Sequence, residues 1–157
     1  MMISTKGRYA LRVLVDMTRH EGEGFVSLST LSKRADVSLK YLELIVSALT
    51  KGGLLLSKRG KEGGYKLSRD ASEISLGAIL RLTEGSLAPV ECMTKVKNCK
   101  RAGDCPTLPL WHRLDTIIET YLNGLSLRDL SNGNVEGVQF VDENITPCVV
   151  NDSASGI

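Results

Sequence analysis

The sequence predicts a mainly α-helical fold with one small β-hairpin, and three observations carry that prediction. Apolar residues recur at helical spacing in five separate stretches. Two short apolar segments flank a glycine-rich turn at residues 60–64, and Ser27 and Ser38 each stand just before a periodic stretch, where a hydroxyl caps a helix best.

The elements follow in order. From Gly7 to about His20, Ala10, Val13, Leu14 and Met17 fall at the i, i+3, i+4, i+7 positions of an amphipathic helix, closed by Glu21–Gly24. A short helix follows Ser27, with Leu28, Leu31 and Ala35 on one face. Asp36-Val37 is the turn, and Ser38 caps a third helix whose buried stripe is Leu42, Ile45, Val46 and Leu49. Gly52-Gly53 supplies its left-handed stop. Leu54–Arg59 and Tyr65–Ser68 form the hairpin strands. Leu76, Ile79, Leu80 and Thr83 mark a fourth helix ending near Gly85. Residues 86–106 show no period.

A longer helix runs from about Leu108 to Leu122, with a seam of Leu110, Leu114, Ile117 and Tyr121 of the kind found in helix pairs. Ser126–Leu130 forms a last turn. The expected organisation is a winged helix-turn-helix head at residues 1–70. A linker helix, cysteine loop and dimerisation helix occupy 71–130, and an acidic, disordered tail occupies 131–157.

Composition narrows the function. With 157 residues, 42% of them hydrophobic, the chain is long enough to bury a core without staples. No apolar run approaches the roughly 18 residues of a membrane span, and the charged N-terminal stretch does not read as a secretory signal. A cytoplasmic location is the expectation. Net charge is only +2, but residues 1–70 carry 13 Lys/Arg against 7 Asp/Glu, whereas 131–157 carry 4 acidic residues and no basic one. A basic head points to a polyanionic partner. No nucleophile–base arrangement and no phosphate-binding glycine loop leading into a helix are visible, so an enzyme is not expected.

In a winged helix-turn-helix the second helix of the pair enters the major groove of duplex DNA, and its N-terminal residues meet base edges. Here these include Ser38, Lys40 and Glu43. Ser38 can cap its helix or donate to phosphate, Lys40 can neutralise a phosphate or approach guanine, and Glu43 can accept from a cytosine amino group. The hairpin tip offers Arg59 and Lys61 beside glycines that let the backbone come close to phosphates. Lys6, Arg8 and Arg12 could add phosphate contacts. Taken singly, Lys40, Lys61 and Glu43 are ordinary solvated side chains; their shared face is what gives them weight. Tyr41 reads as a packing residue.

Cys92, Cys99 and Cys105 lie in the aperiodic stretch ECMTKVKNCKRAGDCP, separated by six and five residues. Reduced thiols in a loop can converge on one metal centre, and Lys95, Lys97, Lys100 and Arg101 favour their ionised form. Spacing alone leaves an iron–sulfur cluster, zinc and a metal-free thiol switch all open. His112 is the candidate fourth ligand; Asp104 and Glu91 are also near, and Cys148 reads as a free thiol of the tail.

STKGRYALR at 4–12, SLKYLE at 38–43, RGKEGGY at 59–65, the three-cysteine loop and LW at 110–111 together resemble the iron–sulfur cluster regulator (IscR) branch of the Rrf-two-type bacterial transcription regulators. The resemblance covers about residues 2–130. It implies a homodimer paired through the long helix, with one winged helix on each half of a palindromic operator. It further implies a 2Fe-2S cluster on Cys92, Cys99 and Cys105 that modulates DNA binding, with Glu43 reading the major groove and Arg59 the minor groove. Two positions depart from the pattern. Leu108 stands where the proteobacterial iron–sulfur regulators have histidine, and Arg8 stands where the nitric-oxide-sensing branch has an acidic residue. The expectation is a homodimeric repressor controlled by an iron–sulfur cluster. The alternative is the same fold with zinc or a thiol redox switch, responding to cysteine, nitric oxide or redox status.

Overall fold

The computed structural model describes residues 3–94 and 103–136. Seven α-helices and two strands occur among them: α1 Thr5–Arg19, α2 Leu28–Ala35, α3 Leu39–Lys51, β1 Leu55–Lys58, β2 Gly64–Leu67, α4 Leu76–Glu84, α5 Glu91–Thr94, α6 Leu108–Gly124 and α7 Leu127–Asn132. The mainly helical fold with an antiparallel hairpin is the one the sequence predicts.

Serine starts most of these helices. The hydroxyls of Ser4, Ser27, Ser75 and Ser126 accept from the backbone N–H three residues on, at the heads of α1, α2, α4 and α7. Each such cap is worth about 1 kcal/mol. Ser126 goes further, because Asp129 reaches back to the Ser126 N–H and completes a capping box. Ser38 is the exception: it occupies the cap position of α3 with no side-chain capping bond. Asp36, the single non-glycine residue with positive φ (52°) among the described residues, turns the chain between α2 and α3. Ser32 closes that turn by donating to the Val37 carbonyl at 2.6 Å.

One apolar core joins the whole. Ala10, Val13 and Leu14 of α1 meet Leu31 of α2, the Leu42–Ile45–Val46–Leu49 stripe of α3, and Leu54 and Leu55 at the start of the hairpin. Ile74, Leu76 and Ile79 enter from the α4 side, and Leu125 and Leu127 from the segment after α6. The last two arrive through a short bridge: Leu76 N–H donates to Leu125 at 2.9 Å and Leu127 N–H to Ile74 at 2.8 Å.

Some local features were not visible as patterns. A 3₁₀ turn at Ala71–Glu73 and the four-residue α5 fall in stretches without period. The stop after α3 is made by Gly53 (φ 73°), while Gly52 keeps φ at −79°. Ser131 and Asn132, assigned by composition to the tail, complete α7, which closes at Gly133 with φ 79°. The remainder of the expected tail, from 137, lies outside the described residues. No helix among those described is long and apolar enough to cross a membrane.

Candidate nucleic-acid interface and cysteine segment

Burial of one face of α3 determines what the other presents. With Leu42, Ile45, Val46 and Leu49 in the core, Lys40, Glu43, Leu44, Ser47 and Lys51 share the opposite, exposed face, and Ser38 is exposed just before the helix. The Ser38 hydroxyl, not engaged in capping, is available to donate outward. Tyr41 sits beside this face but is half-buried, its ring 5.8 Å from that of Tyr9 and nearly perpendicular. It packs, as its sequence context suggests.

The hairpin follows directly. Leu54 N–H donates to Leu49 at 2.9 Å, holding the first strand to the end of α3. In the hairpin Leu55 pairs with Leu67 and Lys58 with Gly64. At the tip the Gly63 N–H donates to Gly60 at 2.9 Å, Gly60 takes φ 110°, and Arg59 and Lys61 are both exposed. The tip end of β2 is clamped to the segment before α2, where Val26 and Tyr65 exchange two hydrogen bonds of 2.9 Å. Gly64 makes that clamp possible. At φ 151° a side chain there would place its Cβ 2.2 Å from the Val26 oxygen.

All five residues expected to meet DNA, Ser38, Lys40, Glu43, Arg59 and Lys61, are therefore exposed on α3 or the adjoining hairpin. Arg12 is different. Its guanidinium donates to the Ala35 carbonyl at 3.3 Å and lies 5.1 Å from the centroid of the Tyr9 ring, so it braces the end of α2. A contribution the sequence reading missed comes from Phe25, whose ring lies 5.9 Å from the Lys58 ammonium and 4.9 Å from that of Lys66. Both cations are thereby held beside the hairpin strands. A lone aromatic outside any periodic stretch gives no signal for this.

The cysteine segment begins where α4 ends. Glu84, the last residue of α4, accepts from the Ser4 hydroxyl at 2.8 Å, so the end of α4 meets the start of α1. Arg81 pairs with Glu119 and donates to Asn123 at 2.6 Å, clasping α4 to α6. Between these helices, Cys92 lies on α5 and Cys105 three residues before α6. Both are thiols and both are half-buried. The Cys105 sulfur is 3.3 Å from the Thr107 hydroxyl, which also accepts from the Trp111 indole at 3.2 Å. His112 is exposed on α6. Cys99 and Cys148 lie outside the described residues.

Accessible thiolates suit a soft metal or an iron–sulfur cluster, so the donor chemistry of Cys92 and Cys105 fits. Two thiols do not complete a set. Among the described residues no three His, Cys, Asp or Glu side chains are grouped to hold a metal, and His112 is not gathered with the two cysteines.

Helix α6 has no buried residue, and Leu110 and Leu114 of its predicted seam are 59% and 37% exposed.

A helix-turn-helix with an attached hairpin, followed by a helix with bare leucines, defines the winged-helix class of transcriptional regulators. Residues 3–133 match the Rrf2 family, iron-dependent transcriptional regulators, and the chain belongs to that family, which is one of regulators and not of enzymes. It is 40% identical over 132 residues to the HTH-type transcriptional regulator IscR of Serratia proteamaculans (strain 568), covering 84% of this chain and 80% of that one. Among solved structures it is similar to CymR (YrzC), the global cysteine regulator of B. subtilis. That match has a TM-score of 0.71 and 34% identity, and covers 85% of this chain and 98% of the other. It is also similar to T. potens IscR, with a TM-score of 0.64, 34% identity and 88% and 93% coverage.

Proposed function

We propose that this protein is a cytoplasmic, homodimeric repressor that binds a palindromic operator and whose grip on DNA is set by a 2Fe-2S cluster. The observation that carries the DNA-binding part is the open face of α3. Its core-facing stripe is fully committed, and the opposite side presents Lys40 and Glu43 behind an uncapped Ser38. Ser38 and Lys40 grip phosphate, and Glu43 selects against bases that offer it no donor. Arg59 and Lys61, on a tip made narrow by glycine, enter the adjacent minor groove. Phosphate contacts supply most of the affinity, which therefore falls steeply with salt. The bare Leu110–Leu114 strip of α6 supports pairing with a second copy, which sets one head on each operator half.

Cys92, Cys99 and Cys105 would hold the cluster, with His112 as the candidate fourth ligand. When bound, the cluster supplies a redox-sensitive cross-link between these thiolates. The chain's own part is mechanical. The cysteine segment joins the end of α4, which touches the start of α1 through Glu84 and Ser4, to the start of α6. A cluster bound there can alter DNA affinity only as far as it favours one placement of these helices over another.

Similarity to a cysteine regulator supports a second reading, in which the same thiols hold zinc or act as a metal-free redox switch. Anaerobic purification followed by visible absorbance and iron, sulfide and zinc analysis separates the two. Iron and sulfide that disappear in Cys99→Ser support the cluster, and a colourless protein with stoichiometric zinc rejects it. For the head, Arg59→Ala is expected to weaken binding to a selected operator by about 1–3 kcal/mol. Unchanged affinity at moderate salt would reject the wing assignment.

A further inference from the structure

We infer that Leu44 is a specificity-determining residue, its side chain packing against the 5-methyl group of thymine in the major groove. The inference rests on the proposed DNA-binding role of α3 and adds a residue that role leaves unassigned.

Leu44 is 61% exposed, more than any other large apolar side chain among the described residues. A lone exposed leucine is ordinary on a protein surface. Its surroundings are what single this one out. At ~100° per residue Leu44 projects only about 40° from Lys40, in one row with Ser47 and Lys51 and beside Glu43. Leu39, 49% exposed, lies at the edge of this row and not in it. A single leucine framed by two lysines, a serine and a glutamate is a poor protein-docking patch, in contrast to the Leu110–Leu114 strip on α6. It is well matched to an anionic surface that offers isolated apolar groups. Duplex DNA is such a surface, because the only apolar group on its major-groove edges is the thymine methyl. Leu44 is also the sixth residue of α3, within the two N-terminal turns from which a recognition helix reads bases. Having no donor or acceptor, leucine adds selectivity of a kind that Lys40 and Glu43 cannot supply: it favours thymine through contact and disfavours exposed polar edges by desolvation.

The test uses the full chain, purified anaerobically, and selection from random duplexes by wild type, Leu44→Ala and Leu44→Gln. Wild type is expected to prefer thymine at one or more positions in each half-site, and both variants to lose that preference. Replacing this thymine with deoxyuridine then weakens wild-type binding about four-fold, the ratio one buried methyl group carries, and leaves Leu44→Ala unaffected. The base replacement leaves the protein untouched, so a folding defect cannot imitate it. Identical thymine preference in wild type and variants overturns the inference, as does uracil replacement without effect on wild type. A change in the sedimentation coefficient of Leu44→Ala with thymine preference intact assigns the side chain to a protein contact, and overturns it too. If wild type captures no duplex at low salt, the DNA-binding reading falls, and this inference with it; binding with unaltered preference sinks the inference alone.

Discussion

Replacing Gly64 with alanine should loosen the hairpin from the body of the protein, and the structure allows the cost to be worked out. A methyl at this position falls 2.2 Å from the Val26 oxygen, 2.5 Å from its carbonyl carbon and 3.0 Å from the Ser27 nitrogen. All three are backbone atoms, so no rotamer change relieves the overlap. Relief requires moving β2 away from Val26, which gives up both Val26–Tyr65 hydrogen bonds at about 1 kcal/mol each. Holding alanine at φ 151° adds about 1–3 kcal/mol. The total is about 3–5 kcal/mol for the folded state, with the clamp released. Gly60→Ala is the control: φ is 110° there, but nothing lies within 4 Å of the added carbon, so only the dihedral cost applies. Urea denaturation gives the global effect, and amide exchange at Val26 and Tyr65 reads the clamp itself. If Gly64→Ala protects those two amides as well as wild type, or costs no more than Gly60→Ala, the steric argument is wrong.

Two more outcomes follow from surface features. Leu110→Asp combined with Leu114→Asp should yield a monomer by sedimentation with unchanged helical content, because neither side chain is buried within the subunit; a variant that still pairs would remove α6 as the dimer seam. Acid should weaken the α7 junction. Hydrogen bonds from Ser126 hold the Asp129 carboxyl below its usual value of 3.8, and bonds from Ser72, aided by Arg128, do the same for Asp70. Each group binds its proton more readily unfolded than folded, so its contribution is present above about pH 4 and is lost as pH falls through the lower folded value. The urea midpoint should therefore drop less between about pH 5 and pH 3 in Asp129→Asn than in wild type, and equal drops would refute this.

Long periodic elements were legible because burial imposes their pattern. The stripes of α1 and α3 read directly from the chain and are the residues found in the core. The open face of α3 followed from the same arithmetic, since fixing Leu42, Ile45, Val46 and Leu49 inside leaves Lys40 and Glu43 outside. Features set by long-range contacts were not legible. Ser38 has the right residue type and position for a cap, yet the capping bond is absent. Arg12 looked like a phosphate ligand until α2 brought the Ala35 carbonyl within reach. Helix α5 is too short to display a period, and Phe25 gains its role only from two lysines that the hairpin brings to it.

The bridge between Ile74–Leu76 and Leu125–Leu127 means that the winged-helix head is not a portable part. Ala10, Val13 and Leu14 rest in the same oily interior as Leu125 and Leu127, which arrive only after the chain has traversed α6. Excising residues 1–70 for a fusion or a reporter would strip α1 of the cover that the later segment provides. Any transplant of this head onto another scaffold has to carry the whole stretch through Asn132.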